Sequence, residues 1–579
     1  MLTEEKVLTG YPSIDKPWLK YYSEEAINAK LPECTIYEYL WENNKAHLND
    51  VALIYFGKKI TYKTLFENIE KTTSAFVSLG IEKGDIVTIQ SLSLPQVIYM
   101  IYALSKLGAI ANLIYATNTP KEVIENLTET KSKLYVCMDS IFEKFTTKIE
   151  TEYLEKVILI SVVDEMPLVI KTLYRVKSRS AKRKVVQFTI DYKAFLNFSE
   201  NEKVNIEGKS DDAVIMVYTG GTTGKSKGVL LSNLNMNVAA LQYFYCGFER
   251  GNVFLSVLPP FIAFGVTVSM HMPLGFGLKT ALGVSANPSE IAEFVQQYKP
   301  QYVICGTMQA EKMMNVLSNK DVDLSHLICF SVGGDILTPA LEEKLNDFFG
   351  AHNSAINVAQ GYAMSETAAA TACSTYTPTN RIFKKKTVGI PLVYTIVKIV
   401  DTETNKELPY GEQGEICINT PCTMIGYYKN EEETNNILKT HEDGKQWIHT
   451  GDIGCVDEEG FIKIVGRIKR IILTFESEVC HKVFPKLLED SFLGVNGVKN
   501  ITIVAKAINK TLNELVAFVV LNEDTDNDVM RAILQEFANK NFEPYERPSK
   551  YVFVERLPYT VIGKIDYRAL EKEAEELKI

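Results

Sequence analysis

Short Val- and Ile-rich runs alternate with helical periodicity through most of the chain. DIVTIQ (85–90) is followed by an apolar helix through Leu107 and then by AIANLIY (109–115). KLYVCMD (133–139), QYVICG (301–306) and HLICFSVGG (326–334) each run into a polar, helix-like segment. Runs that stay apolar at successive positions suit strands covered on both faces, so the pattern predicts parallel sheets packed between helices. Beyond Gly389 the texture changes. IVKIVD (396–401) and GEICI (414–418) flank a connection containing Thr, Asn, Pro and Gly, which reads as antiparallel strands. FIKIVG (461–466) leads into the basic RIKR. After it come a helix at PKLLEDSF, strands within 498–522, a helix near 528–540, a strand at YVFVERL and a charged C-terminal helix. The reading is an α/β chain in two units, residues 1–466 and 467–579, the second large enough to fold alone.

Composition narrows the class. The chain has 579 residues, 46% hydrophobic and 23% charged, which excludes a disordered or fibrous protein. The longest clean apolar run near the N-terminus, Val97 to Leu104, is far shorter than the roughly 20 residues of a spanning helix. MLTEEKVLTG lacks the basic-then-apolar pattern of an export signal. Ten cysteines are scattered without C-x-x-C pairs, and Cys417 and Cys422 read as too isolated from other ligands for zinc. The expectation is a reducing, cytoplasmic setting. A net charge of −10 argues against a nucleic-acid partner. Lys171 to Lys184, KTLYRVKSRSAKRK, is a local exception with seven basic residues and no acidic one. It reads as a solvated face or as a peripheral contact with anionic lipid or a partner.

The densest chemistry lies in AVIMVYTGGTTGKSKGVLLSN, Ala213 to Asn233. A buried strand opens into Thr219, Gly220, Gly221, Thr222, Thr223, Gly224, Lys225, Ser226, Lys227 and Gly228. Glycines let backbone N–H groups approach phosphate oxygens, hydroxyls add donors, and lysines add charge. A P-loop would need glycine at position 219, which is Thr219, so that spacing fails.

This segment resembles the signature loop of the adenylate-forming superfamily of acyl-CoA synthetases, adenylation domains and luciferases, departing at Ser226 where proline is usual. GYAMSET (361–367) resembles its YGxTE box, with Ala363 replacing glycine and Ser365 replacing threonine. The resemblance implies that Tyr362 stacks on adenine, Ser365 donates to the α-phosphate and Glu366 holds Mg²⁺. VGGD (332–335), with Gly334, resembles the turn beside the adenine and acyl pockets. VGIPL, ELPYGEQGEI and MIGYYKNEEET match connecting segments. WIHTGDIG (447–454) carries the TGD motif, whose Asp452 would accept from the ribose hydroxyls. Arg467 matches the ribose- and phosphate-contacting arginine, Lys469 the hinge, and Lys564 in GKIDYRAL the catalytic lysine.

The implied fold has a large N-terminal part of helix-covered mixed sheets with a β-barrel-like subdomain, and a small mobile α+β lid carrying Lys564. The implied reaction consumes ATP with Mg²⁺, forms acyl-AMP and pyrophosphate, and passes the acyl group to the thiol of CoA or of a phosphopantetheine arm on an acyl carrier protein. Phe261, Ile262, Phe264, Met308 and Met364 suggest an apolar substrate pocket. Ile262 stands where amino-acid-activating members have aspartate, and it cannot pair with an ammonium group. A fatty or other apolar acid is therefore expected. The alternatives are a stand-alone adenylating enzyme serving a carrier protein, an aryl-acid ligase, and a non-enzymatic binding protein. One departure bears on the thiol step: Thr474 to Glu489 has no glycine where the family usually turns, and about three extra residues before Pro485.

Overall fold

The computed structural model describes residues 8–168, 170–172, 188–199, 204–219, 226–284, 287–335, 337–376, 381–476, 479–508, 513–522, 525–559 and 565–577. The statements below concern these residues. The predicted runs become strands of two large sheets. In the first, Ile110–Ile114, Ile86–Gln90, Leu134–Met138, Lys156–Ile160 and Thr189–Asp191 lie side by side and parallel. Ala213–Tyr218 joins Ile110–Ile114, and Gly228–Ser232 returns antiparallel to it, so the expected phosphate loop links this strand pair. In the second sheet, Val253–Ser256, Tyr302–Gly306, Cys329–Gly333 and Val358–Tyr362 run parallel. Their C-terminal ends therefore emerge on one side, where open α/β sheets place ligands.

The helix Pro95–Leu107 explains the apolar run seen in the sequence. All thirteen of its residues are buried, including Lys106, whose ammonium pairs with Glu70 Oε2 at 2.6 Å. Proline starts it, and Gly108 ends it in the left-handed conformation at φ 72°. A π-helix, Phe264–His271, begins at the end of the LPPFIAFG segment. Gly265 is required there, because a Cβ would lie 1.8 Å from the Pro259 carbonyl oxygen.

A separate antiparallel sheet contains Ile396–Val400, Gly414–Asn419, Gln446–Val456, Leu438–Thr440 and Ile462–Arg467, as expected from the change of texture after Gly389. A short 3₁₀ turn, Ile468–Arg470, leads into the smaller unit. There Val498–Ala507, Asn513–Leu521 and Lys550–Phe553 form a sheet covered on both faces. Leu515, Ala517 and Val519 meet the helices Pro485–Phe492 and Asn527–Asn541, while Val516, Phe518 and Val520 meet Tyr567–Glu576. The period of two along one strand thus builds two small cores. The glycine-free stretch after RIKR forms a hairpin, Ile472–Glu476 with Val479–Val483, and His481 stacks on Tyr545 at 3.9 Å.

One buried ring carries a pH consequence. His271 is fully buried, with Nδ1 3.0 Å from the Tyr102 hydroxyl and Nε2 3.0 Å from Asn237 Oδ1. Asn237 Nδ2 donates to the Cys34 carbonyl, which orients the amide. His271 Nε2–H therefore donates to Asn237, and Nδ1 accepts from Tyr102. Burial pushes the imidazole down to about 3. Between about pH 6.5 and that value the unfolded chain binds a proton that the native chain refuses, so stability falls as pH falls. We expect the melting temperature of the native chain to drop more steeply between about pH 7 and 5 than that of His271→Gln. Parallel curves in thermal melts across that range would contradict the assignment.

Candidate active site

The antiparallel register of Gln446–Val456 with Ile462–Arg467 sets Asp452 opposite Arg467. Arg467 Nε donates to Asp452 Oδ1 at 2.8 Å. From the end of a strand in the other sheet, the Tyr362 hydroxyl donates to Asp452 Oδ2 at 2.6 Å. Asp452 is only 4% exposed, so both carboxylate oxygens are satisfied in a nearly dry setting. Burial, reinforced by the Asp452 charge, pushes the Tyr362 phenol well up and keeps it a donor. The turn before Asp452 is anchored as well. Gly451 takes φ 70°, its N–H donates to Glu415 Oε1 at 2.9 Å, and Thr450 Oγ1 donates to the Ile416 carbonyl at 2.7 Å.

Glu366 lies in the single turn Ser365–Thr367 and is buried. The Tyr427 hydroxyl donates to its Oε1 at 2.6 Å, and the Met424 N–H donates to its backbone carbonyl at 2.9 Å. Half-buried Ser365 precedes it. Ala368 and Ala369 follow at φ 50° and 62°, a left-handed pair without glycine. Tyr427 pairs in register with Val229 beside the expected phosphate loop, and Lys227 Nζ sits 4.2 Å above its ring. Lys227 Nζ also meets Glu433 Oε2 at 2.8 Å. The base of the loop is closed by backbone and hydroxyl bonds. The Thr219 N–H donates to the Lys227 carbonyl at 3.0 Å, and Ser226 Oγ donates to the Thr219 carbonyl at 2.5 Å. A proline at position 226 would lack that hydroxyl. Gly220, Gly221, Thr222, Thr223, Gly224 and Lys225 lie outside the described residues.

Gly334 follows strand Cys329–Gly333 at φ 85°, with open space where a Cβ would stand. The Phe264 ring closes on the preceding Gly333, 3.1 Å from its Cβ position. Phe261 packs edge-on against Tyr115 at 5.4 Å, and Ile262 is half-buried. Met364 is half-buried against the main core, whereas Met308, in the first turn of Thr307–Leu317, is 36% exposed. An adjacent cavity is lined by Tyr243, Cys246, Phe248, Tyr302, Cys329 and Cys373. Lys469 sits in the turn Ile468–Arg470. Lys564 lies outside the described residues, as does most of the basic stretch 171–184, of which Lys171 and Thr172 are described. The residues flanking 560–564, Tyr559 and Ile565, pair as an isolated antiparallel bridge. Burial raises the Tyr559 phenol, and the charges of Asp335 and Glu311 add to it.

Four contributors were not singled out from sequence: Glu415, Tyr427, Glu433 and Arg470. Each sits inside a segment that was read, GEICI, MIGYYKNEEET or RIKR, but a partner far along the chain reveals its role. The expected isolation of Cys417 is overturned. Cross-strand pairing sets it opposite His449, with His441 beside both.

Residues 40–428 match the family model described as AMP-binding enzyme, and residues 487–564 match the AMP-binding enzyme C-terminal domain. The chain belongs to the AMP-binding enzyme family. It is 26% identical over 574 residues to the long-chain-fatty-acid–CoA ligase of Bacillus subtilis (strain 168), covering 97% of this chain and 98% of that one. It is 26% identical over 538 residues to the protein of that name from Salmonella typhimurium, covering 90% and 91%. Among solved structures, the anthranilate CoA ligase AuaEII in complex with anthranoyl-AMP superposes with a TM-score of 0.78 at 18% identity, covering 95% of this chain and 99% of that one. The likeness shows the fold of this AMP-binding enzyme: helix-covered sheets in a large N-terminal part and a small C-terminal part. Asp452, Arg467 and Arg470 fall between the two matched segments.

Arg470 ties the junction to the C-terminal part of the AMP-binding enzyme. Its guanidinium donates to Glu489 Oε1 at 2.7 Å and to the Ile503 carbonyl at 3.1 Å, and it stacks on the Tyr567 ring at 3.9 Å. Glu489 is 6% exposed. Arg470→Ala strands that carboxylate, and we expect a loss of about 3–5 kcal/mol. Urea unfolding, with limited proteolysis of the C-terminal part, measures it; a loss below about 1 kcal/mol, typical of an exposed pair, would contradict the contact.

Proposed function

We propose that this chain is an ATP-dependent, AMP-forming carboxylate–CoA ligase for a fatty or other apolar acid. The observation that carries the reading is the Tyr362–Asp452–Arg467 clamp, at 2.6 and 2.8 Å, assembled from three separated motifs. A buried carboxylate with two oriented donors suits the paired hydroxyls of a ribose beside a flat aromatic ring. Relatives named long-chain-fatty-acid–CoA ligase along nearly the whole chain support the acid and the thiol.

In the first step a carboxylate oxygen bonds to the α-phosphorus of ATP. The bond from that phosphorus to the β-phosphate bridging oxygen breaks, and pyrophosphate leaves. The acid is already ionised at neutral pH, so no base is needed. The main tasks are to hold two anions in line and to neutralise their charge. In this reading Thr219 through Lys227 grip the β- and γ-phosphates, Ser365 donates to the α-phosphate, Gly334 lines the adenine edge and Lys564 bridges carboxylate and phosphate. Glu366 fits Mg²⁺: it is a buried hard-oxygen donor oriented by Tyr427, and Mg²⁺ characteristically combines one or two carboxylates with phosphate and water oxygens. Bound there, the ion supplies charge neutralisation. In the second step the thiol sulfur bonds to the acyl carbon, the thiol proton is lost, and AMP leaves. Residues 467–579 act as a lid pivoting at Lys469, which withdraws Lys564 and admits the thiol.

Phe261, Ile262, Phe264 and Met364 make the acyl entrance apolar, with Met308 at its exposed rim. Ile262 disfavours an α-amino acid, whose ammonium would stand unpaired. The hairpin at Ile472–Val483 favours a second reading for the acceptor, a carrier-protein phosphopantetheine, because it replaces the family's glycine turn. Aryl acids form the substrate alternative, since the structural neighbour AuaEII is an anthranilate CoA ligase. The reading includes a cytoplasmic location, with peripheral lipid contact through 171–184. No helix among the described residues is long and apolar enough to cross a membrane.

Carboxylate-dependent exchange of labelled pyrophosphate into ATP tests the first step, and acyl-CoA formation tests the second. We expect exchange with apolar acids, and a loss of roughly 10²–10³-fold in Lys564→Ala with ATP binding retained. Absence of exchange across a broad acid panel, or undiminished exchange in the variant, would refute the proposal.

A further inference from the structure

The antiparallel sheet carries a second convergence of side chains, away from the expected magnesium carboxylate. Cys417 on Gly414–Asn419 is the register partner of His449 on Gln446–Val456. His441 lies in the hairpin between Leu438–Thr440 and Gln446–Val456. Its Nε2 is 2.9 Å from His449 Nε2, and the ligand atoms of Cys417, His441 and His449 all lie within 4.8 Å of one another. Cys417 and His449 are buried and His441 is half-buried.

The proton positions follow from the partners. His449 Nδ1 lies 2.8 Å from Glu415 Oε2, and an ionised carboxylate only accepts. Nδ1 therefore carries the proton, and the Nε2 lone pair faces His441. His441 Nε2–H fills the gap. Two imidazoles thus share one proton at the point where a thiol also converges. A carboxylate behind one imidazole, fixing its tautomer, is the usual support of a metal-binding histidine.

We propose that Cys417, His441 and His449 form a binding site for a borderline-soft divalent cation, with Zn²⁺ the best match, and that Glu415 is its positioning residue. One sulfur and two imidazole nitrogens suit zinc and reject magnesium, which prefers oxygen. Tetrahedral ligands about 2.0–2.1 Å from the metal stand roughly 3.3 Å apart, so the imidazoles must separate by a few tenths of an ångström. His441, half-buried on a hairpin, has the freedom to do so. The fourth position is open to water. On binding, the sulfur–metal bond replaces the sulfur–hydrogen bond and that proton leaves to solvent. His441 keeps its single proton but moves it to Nδ1. Affinity therefore rises with pH below the thiol pKa.

The neighbouring charges have been arranged around the cluster. Lys398, the register partner of Cys417, opposes a cation there, although its Nζ is engaged 4.1 Å over the Trp447 ring and 3.3 Å from Asp443 Oδ2. Lys439 on one flanking strand opposes a cation, while Glu415, Asp443 and Glu407 favour one. Glu415 also holds the Gly451 N–H at the base of the Asp452 turn, so the loaded cluster and the nucleotide clamp share a support.

The full-length protein, stripped with a chelator, is titrated with Co²⁺ and then with Zn²⁺ as competitor. We expect one equivalent of Co²⁺, with visible tetrahedral bands and a near-ultraviolet thiolate-to-cobalt band, displaced by Zn²⁺. Cys417→Ser removes the thiolate band. His441→Gln, at the half-buried position, weakens Zn²⁺ binding at least about 10-fold while far-ultraviolet circular dichroism stays native. Binding to the native chain tightens by up to about tenfold per pH unit, the stoichiometry of one released proton. No Co²⁺ uptake by the native chain overturns the site. So does an unchanged thiolate band in Cys417→Ser, or unchanged affinity in His441→Gln, because the metal then sits elsewhere. Should Cys417→Ser fail to fold, the His441→Gln measurement decides.

Discussion

The geometry of the active region turns on one buried carboxylate. Asp452 receives Tyr362 on one oxygen and Arg467 on the other, and it is only 4% exposed. A charge in that position is tolerable only while both donors stay, because an unpaired buried carboxylate is expensive. The constraint therefore runs outward. It fixes the end of Val358–Tyr362 against the strand pair Gln446–Val456 and Ile462–Arg467, and so joins a parallel α/β sheet to an antiparallel one. The turn Ser365–Thr367, with Glu366, begins only three residues beyond Tyr362, so the same contact sets where that second carboxylate can lie.

From the clamp the structure extends in two directions. Toward the phosphate loop, Glu366 engages Tyr427, whose ring lies under Lys227, whose ammonium meets Glu433. The result is a chain of alternating acid, aromatic and base leading from the Asp452 clamp to the loop. Toward the C-terminal part, Arg467 is followed by the turn Ile468–Arg470, and Arg470 is held by Glu489, Ile503 and Tyr567. Two arginines three residues apart thus serve opposite sides of a short connection. One end is tied to Asp452, the other to the unit that carries the Tyr559–Ile565 bridge.

The elements were legible because their physics is local. DIVTIQ, KLYVCMD, QYVICG and HLICFSVGG carry apolar residues at successive positions, and each became a strand, the first three buried on both faces and Cys329–Gly333 half-buried on one. The helix capped by Gly108 announced itself by the apolar run Val97 to Leu104. Pairing was not legible in the same way. Nothing near Tyr362 indicates that its hydroxyl meets a residue 90 positions later, and nothing near Lys227 points to Glu433. Resemblance placed Tyr362, Asp452 and Arg467 in motifs; the register of two strands set Asp452 opposite Arg467. Cys417 shows the opposite failure. Searching for metal ligands by close spacing finds none near it, yet a β-ladder brings His449 opposite it across 32 residues and a hairpin returns His441 to the same point.

Glu415 sits where these two outcomes meet. One oxygen holds the backbone of the Asp452 turn and the other holds His449. Its carboxyl lies below the ordinary carboxylate value even though burial alone would raise it, because the His449 ring and the Gly451 N–H favour the charged form. A carboxylate kept ionised in this way can serve both neighbours at once, since each needs an acceptor and neither needs its proton. Its apolar surroundings, Val400, Cys417 and Trp447, form their own small core apart from the main one. The antiparallel sheet therefore does more than connect the two parts of the molecule. It supplies a base on which the Asp452 turn and a sulfur–imidazole cluster are held by opposite oxygens of a single side chain.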